Sequence, residues 1–198
     1  MEFVPLEIRW HGRGGYGAKT AALLLAEAVI EFGGFAQASP EFGPERRGAP
    51  VQAYTRISPQ PVRRRGPVDN PDLLVLLDAR LVGSPGVLDG VGPRTQVVLN
   101  APGPVEVPGV APERVLYLDA SGIARRTVGR EIPNVPLLAA VAVAFVGMPP
   151  GPFLRWLEKR LGRELPEEVA RRNVEAARLA LEEVQPWLRT GRLSTVGR

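Results

Sequence analysis

Apolar and polar residues alternate in LEIRW, residues 6–10, and again in PVQAYTRI, residues 50–57, where Val51, Ala53, Thr55 and Ile57 fall on one side. A period of two predicts strands. Short apolar runs at 73–77 (LLVLL), 96–99 (QVVL) and 115–118 (VLYL), each closed by a turn or a polar residue, predict three more. Helical spacing occupies 17–32, 135–147, 152–161 and 166–185. The last is the clearest: Ala170, Val174, Ala177, Leu181 and Val184 recur at intervals of four and three and form one stripe. Glu167–Arg171 and Glu168–Arg172 add i,i+4 pairs, Pro166 suits the first turn, and Pro186 is expected to end the helix.

Strands alternating with helices early in a chain imply an α/β fold, here a three-layer α/β/α arrangement whose mostly parallel sheet is covered on both faces. The short separation between 35–39 and 50–57 implies a β-excursion or a mixed edge. Proline and glycine cluster at 83–93 and 101–112 and predict loops. The expected organisation is a single domain over residues 1–188, followed by a flexible tail at 189–198.

Composition narrows the class. The chain has 198 residues, 44% hydrophobic and 23% charged, as in ordinary soluble globular proteins. Its formal net charge is +4, and nearly all its cations are arginine; Lys19 and Lys159 are the only lysines. Arg63–Arg65 is the only run of three, with no aromatic residue interleaved, so no nucleic-acid partner is expected. There is no cysteine, which excludes disulfides, thiolate zinc sites and cysteine-ligated iron–sulfur clusters within this chain. MEFVPLEIRW lacks a basic region followed by an apolar stretch, and the apolar run at 135–147 falls short of the roughly 20 residues of a membrane span. A cytoplasmic protein without membrane contact is the expectation.

Chemistry concentrates in HGRGGYGAKT, residues 11–20. Gly12, Gly14 and Gly17 spell G-x-G-x-x-G between a strand and a helix, the context of a dinucleotide fingerprint. The acid that would grip a ribose would have to be Glu41, which sits beside Pro40 and suits a strand end poorly. A Walker loop fails, because Ala18 precedes Lys19-Thr20 and the lysine comes one residue late. The third reading is a tight strand-to-helix connection without a ligand. His11, the only histidine, rules out a multi-histidine metal site; at a strand end it either acts chemically or bonds to nearby backbone. Asp78 and Asp119 end strands and either bind a metal or cap the next turn or helix. A second unusual stretch, SPEFGPERRGAPVQAYTRIS at 39–58, sets Arg46 and Arg47 in a loop fixed by proline and glycine. Their guanidinium groups suit carboxylates or phosphates bidentately, unless Glu45 pairs with one internally.

GRGGYGAKTAALLLAEA followed by PEFGPERRGAPVQAYTRIS resembles the gamma subunit of 2-oxoacid:ferredoxin oxidoreductases, the pyruvate and ketoisovalerate enzymes. The likeness continues more loosely through DLLVLLD, TQVVLNA and the segment from Pro133, with Leu138-Ala139 where members often carry Leu-Gly. The resemblance implies a Rossmann-like variant fold in a complex that oxidatively decarboxylates a 2-oxoacid to an acyl-CoA and passes electrons to ferredoxin. Thiamine diphosphate and the iron–sulfur clusters then belong to alpha, beta and delta-type partner subunits, with coenzyme A as co-substrate and no cofactor held by this chain alone. No catalytic residue and no metal ligand is expected on this chain. Gly12, Gly14, Gly15, Gly17, Arg46 and Arg47 become candidates for contact with coenzyme A or a neighbouring subunit. A free-standing nucleotide-binding protein using Gly12–Gly17 is the alternative.

Overall fold

Strand β1 (Leu6–Arg13) shows how the alternation is used: Leu6, Ile8 and Trp10 point into one hydrophobic core, while Glu7, Arg9 and His11 face the other way. The computed structural model describes residues 2–40 and 50–189. After β1 come helix α1 (Ala18–Glu31) and strands β2 (Phe35–Pro40), β3 (Pro50–Ser58), β4 (Leu73–Leu76), β5 (Gln96–Asn100) and β6 (Val115–Leu118). Helices α2 (Ala120–Val128), α3 (Asn134–Ala144), α4 (Pro150–Leu161) and α5 (Glu167–Arg189) complete the order. The six strands form one sheet ordered β2-β3-β1-β4-β5-β6. β1, β4, β5 and β6 pair in parallel, and β3 runs antiparallel between β1 and β2. The α/β class and the mostly parallel sheet are as the sequence predicts, and the neighbouring 35–39 and 50–57 segments do make a mixed edge.

The two faces of the sheet are covered differently. Apolar residues of all five helices join one core with Ile8, Trp10, Leu73, Val75, Val98 and Leu116. The opposite face, with Leu74, Leu76, Val97, Leu99 and Val115, is closed by Leu81, Val87 and Val107 from a 3-10 turn (Ala79–Gly83) and loops. Where the sequence reading expected helices on both faces, the β4–β5 and β5–β6 crossovers are rich in proline and glycine, and loops with one 3-10 turn make this layer instead.

α3 is buried all round and lies among α1, α2 and α5, which explains its unbroken apolar sequence. α5 packs its Ala170, Ala177, Leu181 and Val184 stripe chiefly onto α3 and α2, touching the sheet at β6. Two elements differ from the sequence reading. Pro186 does not stop α5, which continues to Arg189. Pro186 and Glu182 are both exposed, so water can satisfy the carbonyl the proline leaves unbonded, while Trp187 and Leu188 pack against the core. The other is α2, absent from the helical periodicity because Ser121, Gly122, Arg125, Arg126 and Thr127 obscure it. Of the expected tail, 189–198, Arg189 belongs to α5, and residues 190–198 lie outside the described residues.

Under the β3 side of the sheet, the polar positions of β1 and β3 are buried rather than solvated. The Arg9 guanidinium donates to the carbonyls of Val68, Asp69, Val87 and Asp89 at 2.6–3.3 Å. Arg56 donates to Glu7 at 2.7 Å and to the carbonyls of Gly66 and Pro67 at 2.8 and 2.6 Å. Two arginines thus stitch the loops to the sheet through otherwise orphaned backbone oxygens.

Candidate functional site

The sheet order reverses direction at β1: α1 leads away to β2 on one side, while β4 pairs on the other. In open α/β sheets, the crevice beyond the strand ends at such a switch point is where ligands bind. Here the β1 end carries the glycine turn and the β4 end carries Asp78.

Three of these glycines have a particular reason. A Cβ on Gly12 would lie 3.2 Å from Ala18 Cβ and 3.5 Å from Leu77 Cβ, so Gly12 lets α1 cross close to β1 and the end of β4. Gly15 has φ +96 with open space around it. Gly17 has φ +78, and a Cβ there would fall 2.5 Å from the Asn134 side-chain nitrogen. It forms the N-cap of α1 without any side-chain cap. The alanines of α1 continue the close approach, fixed by a buried relay in which Trp10 Nε1 donates to Thr55 Oγ1 and Thr55 Oγ1 donates to the Ala22 carbonyl.

A cavity of about 650 Å³ opens on this turn, lined by Arg13, Gly14, Gly15, Gly17, Ala18, Lys19, Thr20, Val51, Ile132 and Asn134. A second, of about 850 Å³, shares Lys19, Thr20, Ile132 and Asn134 with it. It runs over Leu23, Leu24, Leu161, Leu165 and Val169, with Arg130, Arg160 and Arg172 among its lining residues. An uncapped helix N-terminus, Arg13 and Lys19 make the first cavity favourable for anions.

Asp78 lies just past the end of β4 and lines neither cavity. Only 6% exposed, it caps the 3-10 turn by accepting from the Arg80 amide, and it accepts from Arg13 Nε at 2.7 Å and from the Arg80 guanidinium at 2.9 Å. Burial pushes its carboxyl up, but the hydrogen bonds from Arg80 and Arg13 outweigh it and hold the group below the usual range. Arg80 also reaches the Tyr16 hydroxyl at 3.4 Å. Asp119 caps α2 by accepting from the Gly122 amide at 2.8 Å. Of the two alternatives for the strand-end acids, capping is therefore what these two do, and among the described residues no group of three His, Cys, Asp or Glu could hold a metal ion.

His11 is 2% exposed, lines neither cavity, and has no hydrogen-bond partner at Nε2. Burial, with the Arg9 charge second, pushes its pKa down to about 3, so it is neutral at physiological pH. The structure puts Gly14, Gly15 and Gly17 on the lining of the first cavity; Gly12 lies within β1, paired with Val51, and does not line it. Arg46, Arg47 and Glu45, like Glu41, lie outside the described residues. Arg13, Tyr16 and Arg80 were missed by the sequence reading; the only local signal was an arginine inside the glycine run. Asn100 was missed as well. It ties the β5 end to β4 and α2, its Nδ2 donating to the Leu77 carbonyl and Ser121 Oγ, its Oδ1 accepting from the Ser121 amide.

Fold and site together define an α/β domain with a small-residue turn and an anion-favouring cavity at the switch point of its sheet. The chain belongs to the pyruvate ferredoxin/flavodoxin oxidoreductase family, whose sequence profile matches residues 7–183. It is 46% identical to pyruvate synthase subunit PorC of Methanothermobacter thermautotrophicus over 180 residues, covering 91% of this chain and 96% of that one. It is 39% identical over 184 residues to the pyruvate/ketoisovalerate oxidoreductases common subunit gamma of Pyrococcus abyssi, covering 91% and 97%. Its fold matches the crystal structure of pyruvate oxidoreductase subunit PORC from Thermotoga maritima with a TM-score of 0.73 and 35% identity, over 90% of this chain and 96% of that one. The resemblance carried by the glycine turn and the ERRGAP stretch is thereby borne out.

Proposed function

We propose that this chain is the gamma subunit of an oxidoreductase that converts pyruvate or a related 2-oxoacid oxidatively to an acyl-CoA, delivering electrons to ferredoxin. Near-complete, two-way coverage of PorC and gamma subunits carries the reading. With no cysteine in its sequence, the chain offers no thiolate for an iron–sulfur cluster. Following the family resemblance, thiamine diphosphate and the clusters are assigned to alpha, beta and delta-type partners. Among the described residues no helix is long and apolar enough to cross a membrane; we take the complex to be cytoplasmic.

The glycine turn is assigned to coenzyme A. The coenzyme is a polyanion on an apolar arm, and its phosphates suit Arg13, Lys19 and the α1 N-terminus. A tight turn also lets a ligand reach the backbone itself. Arg46 and Arg47 are retained as a proposal on their sequence position between β2 and β3: they bind either carboxylates of a neighbouring subunit or the same phosphates. A nicotinamide role is not part of the reading.

The test is coexpression with thiamine-binding and cluster-binding subunits. Viologen reduction dependent on a 2-oxoacid and coenzyme A is expected from the assembled complex, and none from the purified chain alone. Substrate-dependent dye reduction by the demonstrably pure chain would overturn the proposed division of labour.

A further inference from the structure

The glycine turn is held from a distance. Asp78 leaves β4 at a point where the Leu77 amide donates to the His11 carbonyl at 2.8 Å, so the ends of β1 and β4 are already locked together. From there its carboxylate makes two separate connections to the turn. One is direct, to Arg13 Nε at 2.7 Å. The other passes through Arg80, gripped by both Asp78 oxygens, to the Tyr16 hydroxyl. The connections reach the turn on both sides of Gly14 and Gly15, and Gly15 has only open space beside it. A glycine-rich segment has little stiffness of its own, so these side-chain ties supply what the backbone lacks. Because Nε of Arg13 is engaged by Asp78, the plane of its guanidinium is set, and Arg13 is among the residues that line the cavity.

We propose that Asp78 is a positioning residue for coenzyme A: through Arg13 and through Arg80–Tyr16 it keeps the glycine turn and the Arg13 guanidinium in one geometry toward the cavity. This rests on the assignment of the turn to coenzyme A. Asp78 touches no ligand. It acts by removing the entropy that turn and arginine would otherwise lose on binding a phosphate.

The test uses Asp78→Asn in the assembled enzyme and in the isolated chain. In the enzyme, the apparent KM for coenzyme A is expected to rise about tenfold, the loss of one charge-assisted tie. The 2-oxoacid KM and kcat at saturating coenzyme A stay near the parent values. In the isolated chain, amide hydrogen exchange should quicken at residues 14–18 and remain unchanged through the rest of α1 and β1. Lys19→Met, which alters the cavity without touching Asp78, tests the coenzyme assignment separately. If Lys19→Met raises the coenzyme A KM while Asp78→Asn changes neither KM nor exchange, positioning is refuted and the assignment stands. If neither variant changes that KM, the assignment fails, and the proposed role falls with it. Should Asp78→Asn fail to fold, Arg80→Ala replaces an exposed side chain and cuts only the Tyr16 path. A smaller rise in both readouts is then expected, and parental behaviour in both overturns the proposal.

Discussion

Lowering the pH from 7 to 5 probes one buried group, the imidazole of His11, the only histidine in the chain. Its pKa is pushed down to about 3 in the fold, by burial first and by the charge of Arg9 second. The unfolded chain keeps the ordinary value of about 6.5. A depressed histidine pKa means that the unfolded state binds the proton first. Stability is therefore complete above pH 6.5 and falls as the pH drops below it, by about 1.4 kcal/mol per unit, until the folded form titrates near 3. Between pH 7 and pH 5 the loss is about 2 kcal/mol, a large part of a domain stability of roughly 5–15 kcal/mol. Urea unfolding of the isolated chain at pH 7, 6 and 5 reads this slope, and His11→Gln should flatten it over the same interval. Proton NMR gives the direct check: the single imidazole Hε1 resonance should not move between pH 8 and 5. A titration centred near 6.5, or a variant with the parent's pH slope, would refute the burial argument.

Gly17→Ala should cost about 1–3 kcal/mol in chemical denaturation, from left-handed strain and from contact with Asn134. Adding Asn134→Ala removes the two nearest atoms and should recover part of the contact cost, since the Asn134 Cβ at 2.9 Å remains; strictly additive effects would show that the two positions do not meet. Asp119→Ala should lose about 1 kcal/mol by uncapping α2, with faster exchange at the Gly122 amide, whereas Asp119→Asn stays close to the parent. Equal stability of all three forms would refute the capping role.

Legibility in the sequence followed the range of the interaction. The strands are set by alternation or by a short apolar run, and each was readable because its signal lies within a few residues. The glycine turn was readable for the same reason, since spacing and flanking elements were visible together. α2 was not, because its stripe of Ala120, Ile123, Ala124 and Val128 spans only nine residues and is made partly of alanine, while its ends are set by a cap at Asp119 and a left-handed Gly129. Arg9 and Arg56 looked like the solvent side of alternating strands. Arg56 pairs with the Glu7 carboxylate and two carbonyls, and the Arg9 partners are carbonyls 59 to 80 residues along the chain, where no local pattern can announce them. Asp78 reads as a strand-end cap, which it is. Its second role depends on Arg13, 65 residues away, and appears only once the two strand ends are adjacent.

The position of α5 also has a consequence for biosynthesis. Ala177, Ala180 and Val184 close the core over α3, whose surface is apolar on every side. Until residues 167–189 have left the ribosome, the nascent chain carries a helix with no polar face to turn toward water. That interval is when a chaperone or a partner would find it, and docking onto other subunits is best suited to follow synthesis of this segment.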